Sequence, residues 1–147
     1  ETLAAKIQEA RALLSKDAVY GVNLFVPSGF HVDAAAWTPA QAAAVKTAVD
    51  RHNAWLEELT GKAPPAAPEP SLEDIEAVFR GQVDAIVDNG VKLVSFMFGW
   101  PASAEVARLH ASGATLVGCA TTVAEAKWLV EQGADAVIAQ GAEAGGH

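Results

Sequence analysis

Apolar residues at helical spacing open the chain: Leu3, Ile7, Ala10 and Leu14 predict an amphipathic helix over 2–14. Val19 to Val26 (Val-Tyr-Gly-Val-Asn-Leu-Phe-Val) is a nearly continuous apolar run and predicts a buried strand, which Pro27, Ser28 and Gly29 end. Residues 30–70 then depart from the pattern and read as an excursion. Thr38-Pro39-Ala40-Gln41 predicts a helix start, with Thr38 as N-cap, Pro39 at the first helical position and Gln41 closing a capping box. The helix that follows sets Val45, Val49, His52, Leu56 and Leu59 on one stripe, and Gly61 stops it. Pro64, Pro65, Pro68 and Pro70 predict a stiff, extended connection. Ser71, with Asp74 three residues on, caps a further helix through Leu72, Ile75, Phe79, Ile86 and Val87, with a break expected near Gly81.

From there a repeat sets in. Asn89-Gly90 precedes an apolar strand from Val91 to Met97, Ser112-Gly113 one from Ala114 to Cys119, and Gln132-Gly133 one from Ala136 to Ala139. Gly90, Gly113 and Gly133 are 23 and 20 residues apart, each where a helix should end in a left-handed residue. The helices between are short. One spans about Ala104 to Ala111; the other starts at the capping box of Thr122 and Glu125 and should bury Val123, Ala126, Leu129 and Val130. Alternating strands and helices at this period predict an α/β fold with a parallel sheet and right-handed crossovers. The short period favours part of a (β/α)8 barrel over a doubly wound sheet. The chain opens at Glu1 without a methionine, closes inside a polar, glycine-rich loop, and offers four strands where a barrel needs eight. We therefore expect a fragment of a longer polypeptide.

Composition narrows the function. Of 147 residues, 51% are hydrophobic and 19% charged, which is globular rather than disordered. A net charge of −8 argues against nucleic acid and anionic membranes as partners. Cys119 is the only cysteine, so neither an intrachain disulfide nor a cysteine-based zinc site is expected. No metal site is expected. No apolar run reaches the length of a membrane span and nothing at the start resembles a signal peptide, so a cytoplasmic setting is the expectation.

In a barrel the chemistry lies at the C-terminal strand ends. That singles out Asn23 on the first strand, Ser95 to Pro101 after the second, Cys119, Thr121 and Thr122 after the third, and Gln140 to His147 after the fourth. The last segment is the sharpest. Its glycines let backbone approach a planar or phosphorylated ligand, Gln140 brings donors and acceptors, and Glu143 brings a carboxylate. His147 is its one side chain with a pKa near neutrality, which suits a general base or acid. On spacing alone the run also fits a flexible glycine-rich turn. Cys119 reads first as a small buried hydrophobe, Trp100 as a cover for the site or plain packing, and His52 as structural. His31 is a lesser candidate for the site's mouth.

The run Gln140-Gly141-Ala142-Glu143-Ala144-Gly145-Gly146-His147 resembles the Gln-Gly-x-Glu-Ala-Gly-Gly-His signature of nitronate monooxygenases, formerly called 2-nitropropane dioxygenases. Tyr20 to Val26 resembles the family's second strand, and Ser95 to Pro101 its third-strand motif. The resemblance implies that residues 1–147 form part of an FMN-binding (β/α)8 barrel, with the helix and proline-rich excursion at 30–70 inserted. It implies oxidation of alkyl nitronates, and in some members neutral nitroalkanes, by molecular oxygen. It implies that His147 removes the α-proton of a nitroalkane, that Asn23 and Gln140 line the flavin, and that Gly141, Gly145 and Gly146 give the backbone room beside it. It leaves room for a homo-oligomer. Some members of the family carry a basic residue near the position of Cys119, and its absence here puts one flavin contact in doubt. Loops after the seventh and eighth strands hold the flavin phosphate in such barrels, so the 147 residues alone should bind FMN poorly. Two alternatives remain: an FMN-dependent enoyl-acyl-carrier-protein reductase of the same superfamily, and a noncatalytic half-barrel.

Overall fold

A computed structural model describes residues 2–27, 37–64 and 71–144. The elements are α1 (Leu3–Leu13), β1 (Val22–Phe25), α2 (Pro39–Thr60), α3 (Leu72–Asp88), β2 (Leu93–Met97), α4 (Ser103–Ala111), β3 (Thr115–Ala120), α5 (Val123–Glu131) and β4 (Ala136–Ala139). The chain divides into two compact units, one of Glu1–Phe30 with Ser71–His147 and one of His31–Pro70.

The second unit holds α2. Its start follows from local chemistry: Thr38 accepts the Gln41 backbone N–H, Gln41 reaches back to the Thr38 N–H, and Pro39 sits where no helical N–H is needed. Gly61 ends it with φ 67°, donating its N–H to the Glu57 carbonyl. The expected stripe along α2 is present in sequence, yet Val45, Val49, Trp55 and Leu59 are exposed.

The first unit is one four-stranded sheet in the order β1-β2-β3-β4, every pair parallel. Consecutive order is the arrangement of neighbouring strands in a (β/α)8 barrel; a doubly wound sheet reverses direction at a switch point. Capping boxes at Ser71–Asp74 and Thr122–Glu125 start α3 and α5. Gly90, Gly113 and Gly133 follow α3, α4 and α5 with φ of 60°, 78° and 94°, turning each helix back toward the next strand.

Side chains alternate across the strands. Leu24, Val94, Phe96, Leu116 and Ala120 face the helices and are buried with Ile7, Val83, Ile86, Leu109 and Leu129 in one core. Gly118 belongs to that face as well: a Cβ there would lie 2.8 Å from Leu129 Cδ1, so α5 sits directly on β3. The other face carries Asn23, Phe25, Ser95, Met97, Val117, Cys119 and Ile138, and none of these seven is buried. Among the described residues of this unit, helices cover one face only.

Three expectations change. α3 runs unbroken through Gly81, because Phe79, Val83 and Ile86 bury one continuous face of it. β1 is four residues long rather than the whole of Val19 to Val26, because the register with β2 runs only from Val22 to Phe25, opposite Val94 to Met97, with one further bond from the Val26 N–H to the Met97 carbonyl. α5 buries Leu129, whereas Val123 and Val130 are 74% and 62% exposed. It meets the sheet through Ala126 and Leu129, and the two valines flank that line of contact.

Candidate active site

The C-terminal ends of the four strands bring together residues far apart in sequence. The register sets Asn23 of β1 opposite Ser95 of β2, and Ser95 Oγ donates to Asn23 Oδ1 at 2.9 Å. Two strands over, Cys119 of β3 and Gln140, the first residue after β4, meet in the same way: Cys119 Sγ donates to Gln140 Oε1 at 2.6 Å. Gln140 is placed by its own backbone, whose N–H donates to the Ala120 carbonyl at 2.8 Å and extends the ladder one residue past β4. Asn23, Ser95 and Cys119 lie on the sheet face that the helices leave open.

Phe98, directly after β2, has φ 64°, a left-handed backbone that costs a bulky residue about 1–2 kcal/mol. Its ring meets Phe25 edge-to-face, with centroids 5.1 Å apart, so the turn is braced against β1. Beside it opens a cleft of about 400 Å³ lined by Met97, Phe98, Cys119, Glu125, Trp128 and Gln140, among others. Trp100, by contrast, is buried; its ring packs on Phe96 and its Nε1 donates to the Gln132 carbonyl, so it serves packing.

The electrostatics at this mouth are self-contained. Glu125 accepts from the Thr121 N–H (2.7 Å), the Thr121 hydroxyl (2.8 Å) and the Thr122 N–H (3.1 Å). Those bonds, the Thr121 N–H foremost, hold its carboxyl below the usual carboxylate range. Burial pushes the Cys119 thiol up, and the Glu125 charge adds to this, so the sulfur keeps its proton near neutral pH.

Of the residues singled out in the sequence, Asn23 pairs with Ser95 and Cys119 with Gln140 at these strand ends, and Gly141 follows Gln140 on the surface with the Glu143 carboxylate over it. Gly145, Gly146, His147 and His31 lie outside the described residues. His52 stands on α2 beside Trp55, and His110 pairs with Asp135 at 3.0 Å, near the opposite ends of the strands. Trp128 and the cleft-lining role of Glu125 were not foreseen. No periodic signal marks Trp128, and the capping box had already accounted for Glu125. Among the described residues, no group of three or more His, Cys, Asp or Glu could hold a metal ion, and no helix is long and apolar enough to cross a membrane.

The donor set suits a planar heteroaromatic ring. A carboxamide at the end of each outer strand offers hydrogen bonds, while Phe25, Met97, Val117 and Ile138 provide apolar surface on the same face. It does not suit a phosphate. The described residues of the cleft include no basic side chain, and the Glu125 carboxylate, already bonded to the Thr121 and Thr122 N–H groups just before α5, sets a negative charge at that helix start.

Comparison with known proteins bears on the whole chain. A family model described as nitronate monooxygenase matches residues 1–147. The chain is 33% identical over 147 residues to a "Probable nitronate monooxygenase" of Staphylococcus aureus (strain Newman), covering 100% of this chain and 37% of that protein. It is 34% identical over 145 residues to one of the same name from Staphylococcus haemolyticus (strain JCSC1435), covering 99% and 36%. Among solved structures it is similar to nitroalkane oxidase from Streptomyces ansochromogenes, with TM-score 0.73, 31% identity, and 97% and 36% of the two chains covered. FabK from Thermotoga maritima shares the fold at TM-score 0.57 and 19% identity, with 99% and 32% covered. The chain thus spans 37% of the length of the first of these relatives.

Proposed function

The chain belongs to the nitronate monooxygenase family, and from that premise we propose that the protein is an FMN-dependent enzyme oxidising alkyl nitronates, and neutral nitroalkanes, with molecular oxygen. The observation that carries this reading is the placing of two carboxamides, Asn23 and Gln140, at the C-terminal ends of the two outer strands, β1 and β4, on the open sheet face. They would hold the polar edge of the flavin ring, with Phe25, Met97 and Ile138 supporting its apolar part and Gly141, Gly145 and Gly146 giving it room. When bound, the flavin supplies the electron transfer between substrate and oxygen.

The chain's own residues handle the proton. The imidazole of His147 removes the α-proton of a neutral nitroalkane, and once protonated it attracts the nitronate anion. That attraction must be local, since the chain carries a net charge of −8. The phosphate is held elsewhere than by the described residues. A cytoplasmic setting goes with this reading.

The test is oxygen uptake by the holoprotein given propionate 3-nitronate in air. Uptake without a nicotinamide cofactor is expected. Strict dependence on NADH or NADPH, with an enoyl thioester as the accepted substrate, would replace this reading with a reductase. A colourless protein inert to both would leave a noncatalytic module.

A further inference from the structure

The two strand-end carboxamides are both held by their oxygens. Ser95 Oγ donates to Asn23 Oδ1 and Cys119 Sγ donates to Gln140 Oε1. A primary amide has one acceptor oxygen and two N–H donors. The oxygen keeps a second lone pair, but the bond from the neighbouring strand fixes which way the amide faces and leaves both N–H donors for a ligand.

We propose that Ser95 and Cys119 are positioning residues that fix Asn23 and Gln140 as hydrogen-bond donors, so that the mouth selects a ring presenting acceptor atoms, here the carbonyl oxygens and unprotonated nitrogens of the flavin's pyrimidine portion. This rests on the flavin reading above and specifies which edge of the ring the site takes and why.

The Cys119 pair is the more restrictive of the two. A serine hydroxyl can donate or accept, so Ser95 could also hold Asn23 in the flipped orientation. A protonated thiol donates weakly and accepts poorly, so a flipped Gln140 would set an N–H against sulfur and lose the bond. Burial and the charge of Glu125 both keep the proton on Cys119. Gln140 has little freedom to move away, since its backbone is tied to Ala120. Donors fixed at the pyrimidine edge favour the flavin when it gains negative charge there, so the same contacts should raise its reduction potential.

The test uses the holoprotein as wild type, Cys119→Ala, Cys119→Ser and Ser95→Ala, with circular dichroism as the check on folding. The readouts are the FMN dissociation constant, from fluorescence titration of the apoprotein, and the flavin midpoint potential, from spectroelectrochemistry. Cys119→Ala should weaken FMN binding about two- to tenfold, the worth of one hydrogen bond, and lower the midpoint potential. Cys119→Ser keeps a donor and should stay within about twofold of wild type in affinity. Ser95→Ala should move both readouts in the direction of Cys119→Ala and provides an independent arm at the second pair. The proposal is overturned if both Cys119 variants match wild type, or if Cys119→Ser falls as far as Cys119→Ala, because side-chain volume rather than donation would then be at work. If the full-length wild-type protein binds no FMN, the flavin reading itself fails and takes the proposal with it.

Discussion

On the helix-covered face of the sheet, Val94, Phe96 and Leu116 have no exposure at all, while one position away along neighbouring strands Phe25 and Ile138 are each 47% exposed. The backbone is shared; only the parity of the residue differs. The covered face is wholly apolar at its centre and contains no buried polar or charged side chain among the described residues. The open face mixes apolar surface with Asn23, Ser95 and Cys119, and its polar groups pair with one another toward the strands' C-terminal ends. Stability is therefore concentrated on one side of the sheet and candidate chemistry on the other. The two can be perturbed separately.

The strongest way to break that division is to cut into the covered face. Phe96→Ala removes a fully buried ring that packs on Trp100 and should cost about 3–5 kcal/mol in urea unfolding. Asn23→Ala, one strand over on the open face, should cost less than about 1 kcal/mol, the loss of one exposed hydrogen bond. Equal losses from the two would remove the distinction between the faces. On the chemical side, His147→Asn should slow turnover of neutral nitroalkanes by about a hundredfold or more, the usual contribution of a general base, with a smaller effect on pre-formed nitronates. Wild-type rates with both substrates would sink its role as base.

A smaller effect is expected where the covered face is tightest. Gly118→Ala would set a methyl 2.8 Å from Leu129 Cδ1 and 2.9 Å from Cδ2, with α5 resting on that leucine. Overpacking of this kind costs about 1–3 kcal/mol. The companion Gly118→Ala, Leu129→Ala should recover part of the loss, if the clash rather than backbone strain is the cause; additive losses would exclude it.

Local chemistry was readable in the sequence, and contact between distant segments was not. The capping boxes at Thr38, Ser71 and Thr122, and the left-handed glycines 90, 113 and 133, involve neighbours within a turn, and each stands where the pattern predicts. The parallel sheet followed from the βα period. Strand length was misjudged at β1, because pairing with β2 sets it rather than the apolar run. Val123 and Val130 were misjudged because periodicity shows that a helix has an apolar side but not how wide its neighbour is. Cys119 looked like a small hydrophobe in isolation. Its bond to Gln140 spans 21 residues and arises only when β3 and β4 lie side by side. Both residues do sit at the ends of adjacent predicted strands, and that coincidence was the available signal.

The smallest effect concerns the end of the unit opposite the site. Asp135, just before β4, accepts the Leu116 backbone N–H at 2.7 Å and pairs with His110 at 3.0 Å. The Leu116 bond foremost holds its carboxyl below the usual carboxylate range against the opposing push of burial, with the His110 hydrogen bond and charge adding to the lowering. Its folded pKa is thus lower than its unfolded one. The stabilisation is fully present above the unfolded value of about 4 and disappears as pH falls through the folded value. The largest contribution comes from a backbone N–H that the sheet holds in place at every pH, so His110→Gln should leave part of this acid dependence, while Asp135→Asn should remove it. Thermal midpoints measured from neutral to acid pH provide the check: the gap between wild type and Asp135→Asn should narrow as pH falls. A gap that stays constant would mean that Asp135 acts through packing rather than charge. Because this pair lies far from the strand ends that carry Asn23 and Gln140, FMN affinity should not change in either variant, and a change would show that the two ends of the sheet are coupled.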